Sequence, residues 1–257
     1  MPLPAVNTLW IGDGLGPVER ACLRSAMAQG HRVRLFCYDR LSGIPQGVEV
    51  EDAEQILPRT KIVHYASGSV SLFSNYFRYA LQREGLGLWA DTDHYFLKPH
   101  DFVEPYIYGR NHLGRISSGV LRIPSDSPLL AALLALFENP VSVPAWLPKP
   151  QQRRAQLLIE EHGRLPYELL GWGVTGPRAL TWWAEKLELS HWAKAKEVFY
   201  PTDFDQSDWI VDPAMTLESF LAPNTVSLHL YNEKIKQFKN DPAPPGSFLA
   251  RLHDEGR

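Results

Sequence analysis

The chain has 257 residues, which is enough for one large domain or two small ones. Apolar residues make up 44% of it and charged residues 21%, a composition typical of a globular protein. The net charge of -3 argues against a broad nucleic-acid-binding surface, and no apolar run approaches the roughly 18 residues needed to span a membrane.

The N-terminus and the cysteines favour a cytoplasmic protein. Residues 1–4 carry no basic segment and no apolar leader of the kind that directs secretion. Cys22 and Cys37 fall on apolar positions of a predicted helix and a predicted strand, so we expect buried, reduced thiols.

The first forty residues predict a strand–helix–strand unit. Residues 8–11 form a short apolar strand that ends at Gly12, and Pro17 suits the first turn of the helix that follows. Gly30 ends this helix, and residues 33–37 alternate as a second, parallel strand. The glycines between strand and helix follow the order G-x-G-x-G. This is not the dinucleotide-binding pattern G-x-G-x-x-G, so a Rossmann dehydrogenase is disfavoured.

The rest of the chain predicts further strands and helices, and therefore an α/β fold. Helices are predicted over residues 70–84, 128–137, 151–162 and 178–187, and strands over residues 48–50, 86–90, 95–97, 106–108, 119–123 and 226–230. We see no repeat and no second domain. We therefore expect one domain over residues 1–240 and a polar, proline-rich tail over residues 241–257 that frays.

Two carboxylates follow the apolar strand at residues 86–90. Asp91 and Asp93 are spaced i, i+2, so their side chains point the same way from an extended segment. Two acids aimed at one point repel each other unless a cation lies between them, and a divalent metal that carries a phosphate is the usual solution. The sequence therefore predicts a metal–nucleotide site here.

Two polar residues share a face of the helix that precedes these acids. Asn75 and Arg78 are three residues apart, on a face offset from the apolar stripe of that helix. Arg78 suits either of two roles, as an ion-pair partner of the acids or as a ligand for a phosphate or sugar hydroxyl. Spacing alone does not separate the two.

This region resembles the sugar-binding region with the DXD motif of GT-A glycosyltransferases. The resemblance rests on Ser74-Asn75-Tyr76-Phe77-Arg78-Tyr79, Gly85, Leu88-Trp89-Ala90-Asp91-Thr92-Asp93 and Leu97-Lys98-Pro99. Relatives of this kind include alpha-1,4-glycosyltransferases, capsular polysaccharide enzymes, fungal mannosyltransferases and clostridial glucosylating toxins. Residues 9–39 are also similar to the start of bacterial members. The resemblance implies a Rossmann-like GT-A domain, with a mixed, mostly parallel central sheet flanked by helices.

Three positions depart from the family pattern. Asn75 stands where many members have Asp, which removes a negative charge beside the donor sugar. Leu86 separates the two glycines that are usually adjacent. Trp89 replaces the common Tyr, so the aromatic ring is kept and the hydroxyl is lost.

The resemblance implies a metal-dependent glycosyltransferase that moves a sugar from a nucleotide sugar, a UDP-sugar in the first instance, to an acceptor hydroxyl with retention. Catalytic roles fall to Asp91, Asp93 and Arg78. Nucleotide-sugar contacts fall to Trp10, Ile11, Gly12, Asn75, Arg78, Trp89, Asp91 and Thr92. The cofactor would be Mn2+ or Mg2+, bound directly by Asp93, while Asp91 contacts ribose, the sugar or the metal through water.

Two downstream segments carry further candidates. His229 alternates with apolar neighbours on the predicted strand at 226–230, where a lone histidine is more often structural, and the resemblance implies a third metal ligand or a diphosphate contact. Glu168, Trp172 and Thr175 precede the predicted helix at 178–187 and are candidate acceptor contacts. An ordinary helix started by a proline explains this second segment as well.

Two other functions stay open. A sugar-nucleotide or glycan-binding module without turnover is compatible with Asn75. A nucleotidyltransferase is disfavoured because residues 12–16 hold no Lys or Arg. The sequence does not separate a glycan of polysaccharide biosynthesis, a lipid-linked sugar and a small molecule as acceptor, and we expect no nucleic-acid partner.

Overall fold

The computed structural model describes residues 2–257 and contains a six-stranded central sheet in the order β3-β2-β1-β4-β7-β6. The strands are β1 (Val6–Trp10), β2 (Val33–Cys37), β3 (Glu49–Asp52), β4 (Leu88–Ala90), β6 (Ile107–Arg110) and β7 (Ile116–Arg122). Strands β5 (His94–Phe96) and β8 (Ser227–His229) form a separate antiparallel pair. Within the central sheet only β7 runs against the others. The mixed, mostly parallel layout expected for a GT-A domain is confirmed.

Helices cover both faces of the sheet. They are α1 (Pro17–Ala28), α2 (Ser71–Arg83), α3 (Pro128–Glu138), α4 (Lys149–His162), α5 (Ala179–Lys186), α6 (Lys196–Phe199), α7 (Asn232–Ile235) and α8 (Phe248–Glu255). Neighbouring strand residues point to opposite faces, so Leu88 packs with α1 while Trp89 packs with α2, α3 and α5. No helix in the described residues is long and apolar enough to cross a membrane.

The strand directions bring several segments to one edge of the sheet. Strands β1 and β4 are parallel neighbours, so Trp10, the last residue of β1, and Asp91, the first residue after β4, lie at the same edge. Because β7 is antiparallel to β4, its first residues and the hairpin at 111–115 also reach that edge. In the smaller sheet His94 pairs with His229, which brings the C-terminal part of the chain beside Asp93.

Residues 241–257, expected to fray, end instead in helix α8. Phe248, Leu249 and Leu252 are buried on the side of α8 that packs against α1. Ser247 caps the helix, its side chain accepting a hydrogen bond of 3.2 Å from the backbone N–H of Ala250. The composition of this segment is polar overall, but its few apolar residues lie on one helical face, and this face anchors it. The two cysteines are free and buried, as expected.

We expect protonation of His100 to weaken the fold in acid. Its ring is fully buried and stacks on Phe96 and Phe199, with centroids 4.4 and 5.3 Å away, and neither ring nitrogen has a hydrogen-bond partner among the described residues. Burial, with a smaller effect of the nearby His31, lowers its pKa from 6.5 to about 3. The unfolded chain therefore takes up this proton first as the pH falls.

The direction of the pH effect on stability follows from proton linkage. The stability that comes from keeping His100 uncharged in the folded state is present above about pH 6.5 and is lost progressively as the pH falls toward about 3. Between neutral pH and about pH 5 the loss amounts to about 2 kcal/mol. Urea unfolding of the protein and of His100→Phe at both pH values measures it: the variant should lose about 2 kcal/mol less. An equal loss in both proteins would contradict the assignment.

Candidate active site

A cavity of about 590 Å3 opens at the edge where these strands end. Nine residues that the sequence proposed for the site line it: Trp10, Ile11, Arg78, Trp89, Asp91, Thr92, Asp93, Trp172 and His229. Gly12, Asn75, Glu168 and Thr175 do not line it. The volume is that of a small-molecule or cofactor site.

Asp91 is held from one side by two donors. The indole Nε1 of Trp89 and Nη1 of Arg78 approach the same carboxylate oxygen, Oδ1, at 2.9 and 3.0 Å. Burial raises the pKa of Asp91 above its ordinary value and Asp93 adds to this, although Arg78 opposes it. Trp89 thus donates a hydrogen bond to Asp91 from its indole, and the other oxygen of Asp91 is bound by neither of these donors.

Arg78 ties α2 to the sheet. Its guanidinium is buried, bonds to the backbone oxygens of Ser74 and Ser118 as well as to Asp91, and lies 4.8 Å from the centre of the Trp89 ring. Of the two roles left open for this residue, the ion-pair role is present. Its predicted contact with a donor sugar stays a prediction.

Asp93 is the more buried of the two acids, and two donors hold it. Nε2 of His229 and the backbone N–H of Asn232 lie 3.2 and 2.7 Å from its Oδ2. Burial raises the pKa of Asp93, but His229 and the Asn232 N–H outweigh this, and the net pKa lies below the ordinary value. Tyr231, between these donors, has a left-handed backbone with φ of 56°, a strained conformation that occurs at functional sites.

Asp91, Asp93 and His229 form a cluster that fits a divalent cation. One ligand atom from each residue lies within 4.8 Å of the others. Two carboxylates and one imidazole are a donor set for divalent metals such as Mn2+. The ring of His229 is stacked against His94 at 4.6 Å, which fixes its orientation toward Asp93. His229, which the resemblance implies as a third metal ligand, therefore lies beside the acid pair, and its binding of a metal stays a prediction.

Gly119 leaves room for the acids, and we expect Gly119→Ala to disturb them. A methyl group there would lie 2.8 Å from Nε2 of His94, 3.0 Å from the hydroxyl oxygen of Tyr200 and 3.2 Å from Oδ2 of Asp91. Relieving these contacts should cost about 1–3 kcal/mol and weaken Mn2+ binding. Calorimetry with Mn2+ measures the effect. Gly171→Ala, where the methyl group meets nothing within 4 Å, is the control, and equal affinities in both variants would contradict this role.

A buried lysine supports the wall around Trp10. Lys239 pairs with the buried Glu19, bonds to the side chain of Asn232, and lies 5.7 Å from the centre of the Trp10 ring. Sequence reasoning missed this residue. Its partner Glu19 is 220 positions away, and no local signal marks a surface-type residue as buried.

Four candidates do not line the cavity, although Gly12 and Asn75 are next in sequence to residues that do. Nδ2 of Asn75 contacts Oγ1 of the fully buried Thr175 at 3.4 Å. Glu168 forms an ion pair with Arg164 at 3.1 Å. Gly12 has a φ of 147°, and a side chain there would approach the Trp10 indole. Direct contacts of these residues with a ligand stay predictions.

Comparison with known proteins adds little to this geometry. No protein-family model and no curated protein matches the chain. Among solved structures, a chain named PaToxG Glycosyltransferase is similar to it, with a TM-score of 0.43 and 12% sequence identity over 74% of this chain and 71% of that chain. A likeness of this size is too weak to assign a function, so the functional conclusion rests on the side chains of the site.

Proposed function

We propose that this chain is a metal-dependent glycosyltransferase that uses a nucleotide sugar, with UDP-sugars as the first donors to test. The observation that carries the proposal is the Asp91–Asp93–His229 cluster on the wall of a cavity that also holds the aromatic ring of Trp10. A metal-bound diphosphate and a base that packs on an aromatic side chain fit these two features.

Different residues of the chain position the two acids of the proposed site. Arg78 and Trp89 fix one oxygen of Asp91, which leaves the other available to the ligand. His229 and Asn232 hold Asp93 in place for the cation, Mn2+ or Mg2+. A bound cation supplies neutralisation of the diphosphate leaving group.

Retention is the part of the proposal that the resemblance to retaining GT-A enzymes implies. Asp91, Asp93, Asp205 and Glu233 are the carboxylates that line the cavity. We assign none of them as a covalent nucleophile, and we propose front-face attack. The acceptor oxygen bonds to the anomeric carbon as the bond to phosphate breaks, and the leaving phosphate oxygen takes the acceptor proton.

Binding and turnover test the proposal separately. In a thermal-shift screen with Mn2+, UDP or GDP at about 100 times its Kd should raise the melting temperature by roughly 5–10 °C. Hydrolysis of one UDP- or GDP-sugar should follow, and NMR of an early transfer product should show the donor's anomeric configuration. If neither nucleotide shifts the melting temperature in the presence of metal, the proposal is contradicted. Binding without turnover of any donor would instead favour the binding module.

A further inference from the structure

The charges that line the cavity are paired, with two exceptions. The pairs are Arg78 with Asp91, Asp93 with His229, Asp205 with Lys234, and Glu233 with Lys236. Arg115 and Arg178 also line the cavity, and neither has an ion-pair partner among residues 2–257. Positive charge without a counter-charge on a cavity wall indicates an anionic ligand.

Local structure places the two arginines on the same wall. Oδ1 of Asn111 accepts hydrogen bonds from the backbone N–H groups of Leu113 and Arg115, at 3.0 and 3.1 Å, which makes the hairpin at 111–115 a fixed turn. The next residue, Ile116, donates its backbone N–H to Oγ1 of Thr181 at 2.9 Å. Thr181 comes three residues after Arg178, so the hairpin and the start of α5 are joined beside both guanidiniums.

The guanidinium of Arg178 is held without being neutralised. It donates to the backbone oxygen of Trp146 and to Oε1 of Gln151, both at 3.3 Å, and these acceptors carry no charge. Burial lowers the pKa of Arg178 and the neighbouring Arg115 lowers it further, which is the direction expected for two cations near each other. An anion between them would relieve both effects.

This wall stands apart from the metal cluster. Asp91 donates its backbone N–H to the oxygen of Gly119 at 2.8 Å, so the acids lie beside that position of β7. Arg115 precedes Gly119 by four residues of extended chain, roughly 13 Å along the strand. The backbone of Arg115 is therefore well separated from the acids, which leaves room for an anion other than the proposed diphosphate.

Exposed apolar surface borders the arginines. The side chains of Trp172 and Leu113 are 65% and 60% exposed, and both line the cavity. The backbone N–H of Arg178 donates to the oxygen of Gly173 at 3.3 Å, which places Trp172 next to it. His112 adds a buried Nδ1 with no hydrogen-bond partner in the described chain. An exposed indole beside cations without a counter-charge suits the apolar face of a sugar ring that carries an anionic group.

We infer that the acceptor is an anionic sugar whose phosphate or carboxylate is bound by Arg115 and Arg178, with its ring against Trp172. The planar fork of arginine binds either group through two parallel hydrogen bonds. This assignment rests on the proposed function, because it takes the acid cluster as the donor site.

Calorimetry with matched sugars tests it. With Mn2+ and saturating UDP present, glucose 6-phosphate or glucuronate should bind at least tenfold more tightly than glucose, and the better of the two identifies the anion. Arg115→Gln/Arg178→Gln should remove that preference and leave the affinity for UDP unchanged. Arg153→Gln/Arg154→Gln, on the exposed face of α4, changes the net charge equally and should keep the preference. The single variant Arg115→Gln covers the case in which the double variant does not fold.

The possible results are distinct. Equal affinity for glucose and both anionic sugars, or an anion preference that survives loss of both arginines, overturns the assignment. Competition between the sugar phosphate and UDP also overturns it, because the anion would then belong to the donor site. Failure of Mn2+ and UDP to bind removes the proposed function, whereas an arginine-dependent preference for the anionic sugar would still uphold the anion site.

Discussion

Asparagine in place of Asp93 is expected to weaken Mn2+ binding strongly while the protein stays folded. Asp93 contributes a charged oxygen to the cluster with Asp91 and His229. Its Oδ2 also accepts the backbone N–H of Asn232 at 2.7 Å, and an amide oxygen can keep that hydrogen bond. The variant therefore loses the negative charge but keeps the local connection.

The expected effects are large. Loss of an outer partner of a metal ligand typically weakens binding by 10–100-fold, so loss of a ligand should cost at least about a hundredfold in Mn2+ affinity. Turnover of a sugar nucleotide should fall on the order of a thousandfold, since leaving-group neutralisation is worth several kcal/mol. Titration with Mn2+ followed by electron paramagnetic resonance measures the affinity.

Asp205→Asn is the matched control for this change. Asp205 also lines the cavity and loses the same charge, but its partner is Lys234 and it is not part of the cluster. It should bind Mn2+ as the unmodified protein does. Unchanged Mn2+ affinity in Asp93→Asn would remove the metal role of this residue, and with it the main support for the proposed function.

Methionine in place of Arg78 is expected to destabilise the fold by about 3–5 kcal/mol and to inactivate the site, because removing one partner leaves Asp91 with an uncompensated charge. The backbone oxygen of Ser118 on β7 would lose its donor at the same time. Arg78→Lys keeps the charge but cannot make all of these hydrogen bonds. Its stability should therefore lie between that of the unmodified protein and that of Arg78→Met.

Arg83→Met separates this effect from a general effect of losing an arginine from α2. Arg83 lies on the same helix and pairs with Glu138 at 2.6 Å, but its side chain is 43% exposed. An exposed pair of this kind contributes about 1 kcal/mol or less. Urea unfolding compares the two variants. Equal losses of unfolding free energy would show that Arg78 does not hold the site together.

The acid pair illustrates what local sequence can predict. An apolar strand that runs into Asp91 and Asp93 places both residues at a strand end. The extended backbone expected between them is replaced by a turn, which the hydrogen bond from the backbone N–H of His94 to the oxygen of Asp91 closes at 3.0 Å. The unit at residues 6–37 was predictable for the same reason, since hydrophobic period, a proline start and a glycine stop are local signals.

His229 and Asn75 mark the limit of such signals. His229 could be called structural or metal-binding until the pairing of β5 with β8 set it beside Asp93. For Asn75, helical spacing predicts the face it occupies but not what packs there, and the structure places Thr175 against it. Its contact with a sugar stays a prediction. The position of a residue on a helix or strand follows from the local sequence. The residues that pack against it depend on segments far away in the chain.

The sequence by itself determined the strand–helix–strand unit at the start, the main strands and helices as far as α5, and the acids at the end of β4, because these follow from period and short spacing. Only the tertiary structure decided which charges meet. Lys239 lies against Glu19, and Arg115 lies beside Arg178 without a counter-charge. Such pairings are set by the packing of segments that are distant in sequence, and the local sequence around a charged residue does not indicate which residue it will contact.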